Sequence, residues 1–210
     1  MSSKIQEKEK LDPRIRRTRA LLSQAFIDCV SAKGFQAVSV QDITEKAGVN
    51  RSTFYLHFAD KYALLDYAIG EYFEQEMAKR LADANGFSLD NLRRLIATVG
   101  EGVLNANAHC TPAEPQFESL VEAQVKQHVQ RLLQGWLAPG DDTRPGGTRL
   151  APTMDPAIVA TAASWAIYGL VLQWSRSKTR VPAEAFADRI LPLILPILDP
   201  GRSILEVQSK

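Results

Sequence analysis

Residues 50–61, with the sequence NRSTFYLHFADK, combine several hydrogen-bond donors with two phenylalanines. Phe54 and Phe58 are four residues apart, which places them on the same face of a helix. If that face is buried, the arginine, tyrosine, histidine and lysine of the stretch lie elsewhere and can donate to an external acceptor. The stretch therefore predicts a surface that binds a partner rich in acceptors.

The chemistry of these donors suits DNA. Arg51 and Ser52 stand at the N-terminal end of the helix, the end that enters a major groove first, and could contact base edges. Hydroxyl and imidazole groups can donate to phosphate oxygens without reading sequence. The candidates of this kind are Ser39, Thr53, Tyr55 and His57. Lys61 is a cation in the first turn of the next helix, where it opposes the helix dipole, and a bound phosphate would reverse that penalty.

The elements that must position these residues are helices. Apolar residues recur with helical spacing throughout the chain, and no period-two run typical of strands is evident. We therefore predict an all-α fold. The apolar positions of the first helix are Ile15, Leu22, Phe26, Cys29 and Val30. Gly34 ends that helix, because glycine readily adopts positive φ.

Two short helices joined through Gly48 follow the first helix. Ser39 and Asp42 have the spacing of a capping box, which predicts a helix over 40–47. A second short helix is predicted over about 51–58. With the supporting helix before them, the two have the proportions of a helix-turn-helix, a motif that places its second helix in a DNA groove.

The rest of the chain also predicts helices. A long fourth helix begins after Asp60, which can cap it, and is expected to close at Asn85-Gly86. Further helices are predicted over about 88–107, 114–137, 157–177 and 183–198. Residues 138–156 are rich in proline and glycine and predict a loop. Pro192 and Pro196 remove hydrogen-bond donors from the last helix and predict a kink or an early end there.

Charge is distributed unevenly along the chain. Residues 1–61 contain 11 Lys and Arg against 7 Asp and Glu, whereas the remainder contains 14 against 17. A basic first part and a mildly acidic second part predict different partners for the two. Four arginines form a charge run near the start: Arg14, Arg16, Arg17 and Arg19. The run is either a solvated face or a set of contacts to the DNA backbone or minor groove.

Cysteine content and hydropathy predict a cytoplasmic protein. Cys29 and Cys110 belong to no CxxC motif or secretory framework, so we expect reduced thiols. Residues 1–11 are highly charged, without the apolar core of a signal peptide, and predict a disordered basic arm. Residues 157–174 contain no charge over 18 positions, the lower edge of a membrane-spanning length. Burial in a subunit interface explains this stretch better, so we predict no membrane association.

Residues 12–72 resemble the DNA-binding domain of the TetR family of bacterial transcriptional repressors. The resemblance lies in TRALLSQAFIDCVSAKGFQAVSVQDITEKAGVNRSTFYLHFADKYALL, including AGV at the turn, the TFYLHF run and the lysine that opens the fourth helix. By this resemblance four residues match base-facing positions: Gln41, Arg51, Ser52 and Leu56. Five match phosphate-facing positions: Ser39, Thr53, Tyr55, His57 and Lys61. Leu56 stands where a larger or polar side chain is often found.

The resemblance also implies a helical C-terminal domain for effector binding and dimerisation. The expected division is an arm over 1–11, the DNA-binding domain over 12–60, the effector domain over 61–200 and a tail over 201–210. The homodimer would form through 157–177 and 183–198. The expected function is repression, released when a small, largely apolar effector takes the protein off double-stranded operator DNA. Candidate effector-binding residues are His109, Phe117, Glu118, Glu122, Trp136, Trp165 and Tyr168.

Other classes of function have less support in the sequence. No GxSxG, HExxH, P-loop or Rossmann motif occurs, so we predict no catalytic site, no cofactor and no metal site. An effector-independent regulator, or an activator with the same DNA-binding head, remains an alternative. A purely helical adaptor is a further alternative, but it would not require the donors at Tyr55, His57 and Lys61.

Overall fold

The computed structural model of the protein describes residues 12–84, 86–109, 115–138 and 154–199. Side chains are described for all of these except residues 107–109 and 115–117. Within these ranges the chain forms eight α-helices and no β-strand. The predicted all-α fold is confirmed.

The helices follow the predicted order closely. They are α1 (Pro13–Lys33), α2 (Val40–Ala47), α3 (Arg51–His57), α4 (Lys61–Arg80), α5 (Leu89–His109), α6 (Pro115–Leu137), α7 (Pro156–Ser175) and α8 (Ala183–Leu198). The chain divides into two compact units, Met1–Glu71 with Asn107–Phe117, and Tyr72–Ala106 with Glu118–Lys210. The functional boundaries predicted at residues 11, 60 and 200 stay predictions.

Local capping explains where the helices of the first unit begin. The Ser39 and Asp42 side chains form the predicted capping box on α2. Asn50 accepts a hydrogen bond from the amide of Ser52 at 3.0 Å and so caps α3. Asp60 accepts from two amides of the first turn of α4, at 2.8 and 2.9 Å. Each cap satisfies amides that have no partner within the helix, so these boundaries follow from short-range chemistry.

The first unit has a core built where α1, α2 and α3 pack on one another. Leu22, Ile43 and Phe54 are fully buried there, and Phe58 is 6 % exposed. The rings of Phe54 and Phe58 lie 5.9 Å apart. This confirms the predicted buried face of α3, whose opposite side is exposed to solvent.

In the second unit, α7 and α8 pack together. Trp174 of α7 stacks on Phe186 of α8, with ring centroids 5.0 Å apart. The guanidinium of Arg93 on α5 binds the carboxylate of Asp188 on α8 through two hydrogen bonds of 2.6 and 3.1 Å. Helix α5 is therefore joined to the consecutive helices α7 and α8 in one unit.

Helix α4 ends earlier than predicted. Its last residue is Arg80, whereas the sequence predicted closure at Asn85-Gly86; Asn85 lies outside the described residues. The reason is tertiary. Arg94 of α5 donates to the carbonyl of Arg80 and also binds the carboxylate of Asp83 at 2.6 Å. A side chain from another helix thus satisfies a carbonyl at the end of α4, and the chain can leave the helix there.

Helix α8 does not end early at its prolines. It continues through Pro192 and Pro196 to Leu198, so the expectation of an early end was wrong. Both prolines are exposed, whereas Ile194, Leu195 and Leu198 on other faces are buried. The carbonyls that lose their helical partners therefore lie towards the exposed side, and burial of the apolar side chains maintains the helix.

Helix α7 is long and apolar enough to span a membrane by length and composition alone. Its mean hydropathy over an 18-residue window is 1.4, and 44 % of that window is buried within the chain. Nine of its residues face the interior of the second unit, among them Ile167, Val171 and Trp174. One side of α7 therefore already lies in the core of the second unit.

Gly102→Ala should destabilise the second unit. A Cβ atom at Gly102 would overlap Cε1 of Phe73, whose ring is fully buried. We expect a loss of about 1–3 kcal/mol in the free energy of unfolding, the usual cost of overpacking. Chemical denaturation followed by circular dichroism measures it.

Gly135→Ala is the matched control, because nothing lies within 4 Å of a Cβ atom at that helical glycine. It should stabilise the protein by about 0.5–1 kcal/mol through the unfolded state. If both substitutions changed the free energy of unfolding by the same amount, the Phe73 ring would be able to move aside for the added Cβ atom.

Candidate DNA-binding and ligand-binding sites

Helices α2 and α3 are joined by a tight turn. Gly48 adopts a left-handed conformation, with φ of 66°, and its amide donates to the carbonyl of Glu45 at 3.2 Å. The amide of Val49 donates to the carbonyl of Thr44 at 3.0 Å. A side chain at position 48 would be strained in this conformation, which explains the glycine. The turn sets the angle at which α3 leaves α2.

The four predicted base-facing residues lie on the exposed surface of α2 and α3. Gln41, Arg51 and Ser52 are exposed, and Leu56 is 82 % exposed, more than any other large apolar residue among those the structure describes. Three of the four lie on the short helix that follows the turn. The geometry thus presents them on the helix that the motif would insert into a groove.

Arg51 and Tyr55 contact each other on the exposed side of α3. The guanidinium of Arg51 donates to the Tyr55 hydroxyl at 3.4 Å, and its central carbon lies 5.8 Å from the ring centroid. Tyr55 is 48 % exposed and packs edge-on against Phe54. The hydroxyl accepts from Arg51 and can still donate its proton outwards. The pair positions a cation and a hydroxyl side by side.

Ser39 already uses its hydroxyl within the capping box. It donates to Asp42 at 2.6 Å and accepts from the Asp42 amide at 3.2 Å. Lys33 also pairs with the Asp42 carboxylate at 2.8 Å. The hydrogen bond from Lys33, followed by those from Ser39, holds the pKa of Asp42 below its ordinary range. Ser39 would have to leave this network to donate to a phosphate. Thr53 and His57 are half-buried on α3.

Lys61 has an internal partner that the sequence did not reveal. Its ammonium group donates to the carbonyls of Phe35, Gln36 and Val38 at 3.1, 3.2 and 3.0 Å. A phosphate is therefore not needed to explain a cation at the start of α4. This corrects the argument from the helix dipole; the phosphate contact itself is not tested by the structure.

The arginine run near the start of the chain is not one solvated face. Arg14, Arg16 and Arg17 are exposed, but the guanidinium of Arg19 lies 5.5 Å from the rings of both Phe58 and Tyr67. Arg19 therefore packs within the first unit. Within this run of four, the exposed charges are those of Arg14, Arg16 and Arg17.

The effector candidates separate into different places. Glu118 and Glu122 of α6 lie near Tyr168 of α7. Trp136 is 18 residues beyond Glu118 on the same helix, roughly 27 Å along its axis. It packs edge-on against Phe87 and donates to the carbonyl of Ala84 at 3.4 Å. Trp136 is thus not part of the group around Tyr168. The side chains of His109 and Phe117 lie outside the described residues.

The group around Tyr168 contains paired charges. Arg176 binds Glu118, and Lys126 binds Glu122 at 2.6 Å. The ammonium group of Lys126 also lies 3.2 Å from the ring centroid of Trp165. Tyr168 is 4 % exposed; burial, then the charges of Glu122 and Glu118, raise its pKa to about 12. The phenol therefore stays protonated at neutral pH and is a hydrogen-bond donor.

The described residues contain no group of three or more His, Cys, Asp or Glu that could hold a metal ion. Comparison with known proteins identifies the first unit instead. Residues 24–68 match the family model described as bacterial regulatory proteins, tetR family. These residues therefore resemble the DNA-binding domain of TetR-family regulators. The match covers α2, the turn and α3, which are the helix-turn-helix of that domain.

Individual relatives extend this comparison along the chain. An uncharacterised HTH-type transcriptional regulator of Bacillus subtilis, YxbF, is 44 % identical over 61 residues, which are 28 % of this chain and 16 % of that protein. The HTH-type transcriptional repressor DhaR of a Mycobacterium species is 25 % identical over 189 residues, covering 83 % of this chain and 88 % of DhaR. The first of these matches therefore spans only a small part of its relative.

A solved structure shows the same fold over most of the chain. The transcriptional regulator FadR from Bacillus subtilis, in complex with stearoyl-CoA, superposes with a TM-score of 0.54 at 17 % identity. The superposition covers 83 % of this chain and 96 % of that one. At this identity the likeness concerns the fold alone. This chain and the FadR structure therefore share a helical fold over most of their lengths.

Proposed function

We propose that the protein is a cytoplasmic, sequence-specific repressor that acts as a homodimer and leaves its operator when it binds a small, largely apolar effector. It has no catalytic role in this proposal. The observation that carries it is the exposure of Gln41, Arg51, Ser52 and Leu56 on α2 and α3, above a buried face that fixes α3 in place.

Each base-facing residue has chemistry suited to a groove. Arg51 can form a bidentate contact with guanine, and Gln41 can form one with adenine. Leu56 offers only apolar surface, which suits the methyl group of thymine. Tyr55, His57, Thr53 and Ser39 would donate to phosphates and fix the register. The net charge of the first 61 residues favours the approach to DNA.

The dimer would form through α7 and α8. On α7, one exposed stripe recurs at helical spacing: Ile158, Ala162, Trp165, Gly169 and Gln173. On α8, Leu193 is 59 % exposed. A second copy of the two helices would cover this apolar surface and build a four-helix bundle. Only 44 % of the apolar 18-residue window of α7 is buried within the single chain. A second copy would bury more of this apolar helix, which supports the arrangement.

The effector would bind in the second unit, near Tyr168, Glu118 and Glu122. The FadR structure contains stearoyl-CoA, and the long acyl chain of that ligand supports an effector with an apolar part. Helix α4 is the candidate lever, because it begins in the first unit and ends in the second. An effector that prefers one spacing of the two reading heads would shift the population away from the DNA-binding form.

Two measurements test this proposal. Selection from a randomised pool of duplexes should enrich one partly palindromic site, with half-sites about one helical turn apart or a multiple of it. A thermal-shift screen should then find a ligand that stabilises the protein and lowers its affinity for that site. Failure to enrich any duplex would refute sequence-specific binding. Enrichment that no stabilising ligand reverses would favour an effector-independent regulator.

A further inference from the structure

The ammonium group of Lys61 is enclosed by the loop between α1 and α2. A lysine ammonium has three hydrogens, and three carbonyls, those of Phe35, Gln36 and Val38, lie 3.0–3.2 Å from its nitrogen. The nitrogen also lies 4.5 Å from the centroid of the Phe35 ring, within the range of a cation–π contact. All donors of Lys61 are thus occupied inside the first unit.

The hydrogen bonds of Lys61 join two segments that are far apart in the chain. They span 23 to 26 residues, and the helix-turn-helix lies between the two ends that they join. The Phe35 ring is 3 % exposed and packs edge-on against Phe26 of α1 and Tyr62 of α4. Val38 is 1 % exposed, so two of the three carbonyls that hold Lys61, those of Phe35 and Val38, belong to residues anchored in the core of the unit.

We propose that Lys61 is a positioning residue: it clamps the two ends of the helix-turn-helix together and sets the presentation of α3, without contacting a phosphate. The DNA part of this inference rests on the proposed function. The clamp itself does not, because every contact that forms it lies within the first unit. A phosphate contact would require Lys61 to give up a carbonyl partner for each hydrogen that it donated outwards.

Two substitutions separate the clamp from a phosphate contact. Lys61→Met keeps the aliphatic stem and removes the charge and all donors. Lys61→Arg keeps the charge and binds phosphate at least as well, but its planar guanidinium cannot aim at three converging carbonyls. Lys178→Met removes one exposed charge from the second unit and is the matched control.

Operator affinity is measured by fluorescence anisotropy at several salt concentrations, well below the melting temperature of each variant. We expect both Lys61 variants to bind the selected site roughly tenfold or more weakly, the loss typical of a charged hydrogen bond. Affinity for a scrambled duplex and the slope of log K against log[salt] should match wild type. Lys178→Met should change neither quantity.

Three results would overturn the proposal. A phosphate contact would lower the salt slope by about 0.9 in Lys61→Met and leave Lys61→Arg close to wild type. A purely structural lysine would lower the melting temperature of both variants while the folded protein kept its full operator affinity. Unchanged hydrogen exchange in α2 and α3 of Lys61→Met would show that no clamp exists.

Hydrogen exchange also separates the clamp from the proposed function. In Lys61→Met, amides of α2 and α3 should exchange roughly 10- to 100-fold faster, whereas those of α7 and α8 should not change. This measurement requires no DNA. If the wild-type protein selects no duplex, the proposed function fails, and the exchange data still decide whether Lys61 holds the motif closed.

Discussion

Leu193→Glu is expected to convert the proposed dimer into a monomer. Leu193 is 59 % exposed in the single chain, so a charge there should change the stability of the subunit by less than about 0.5 kcal/mol. In a symmetric interface the same carboxylate would be buried twice, close to its own copy. Loss of the second reading head should then weaken operator binding by about 100-fold or more, because linked heads gain from effective concentration.

Light scattering over a range of concentrations measures the oligomeric state, and anisotropy measures operator affinity. Leu21→Glu is the matched control, since Leu21 is a 47 % exposed leucine on α1, outside the proposed interface. That variant should remain dimeric. If Leu193→Glu keeps the wild-type mass with unchanged circular dichroism, the interface does not include this part of α8.

Arg51→Ala is expected to remove much of the discrimination between the operator and other DNA. A bidentate contact between arginine and guanine contributes about 1–3 kcal/mol of discrimination, so affinity for the selected site should fall roughly 10- to 100-fold. Affinity for a scrambled duplex should change little. Arg51 is exposed and held beside Tyr55, so its removal leaves the core of the first unit intact.

Arg51→Lys distinguishes base reading from simple charge. Lysine retains the cation but lacks the planar pair of donors, so operator affinity should fall while the salt dependence stays near wild type. Lys178→Ala, in the second unit, controls for the loss of one positive charge. Equal weakening on operator and scrambled DNA, with a smaller salt slope, would show that Arg51 contacts phosphate instead.

Helix boundaries set by local capping were predictable from sequence. The capping box of Ser39 and Asp42, the Asn50 and Asp60 caps and the positive φ of Gly48 all involve residues close together in the chain. The buried pair Phe54 and Phe58 follows from helical spacing and is confirmed. These features depend on interactions within about one helical turn, which the order of residues already specifies.

Contacts between distant segments were not predictable in this way. Nothing near Arg80 in the sequence indicates that Arg94 donates to its carbonyl and ends α4 five residues early. Spacing also failed to separate Trp136 from the group around Tyr168, because composition does not show which aromatic residues share a neighbourhood. The predicted bounds of α8 were confirmed, but the early end considered for its prolines was wrong, because burial of its other faces outweighs the lost hydrogen bonds.

The sequence by itself determined an all-α protein with a helix-turn-helix and identified the residues able to face DNA, because helical period, caps and turn glycines are local. The tertiary structure alone decided the surroundings of Lys61. Its carbonyl partners lie 23 to 26 residues away, and only the packing of α1 against α2 and α3 brings that loop to the start of α4. A lysine at this position could bind a phosphate or hold the helix-turn-helix closed, and the groups that surround its ammonium in the folded protein distinguish these two roles.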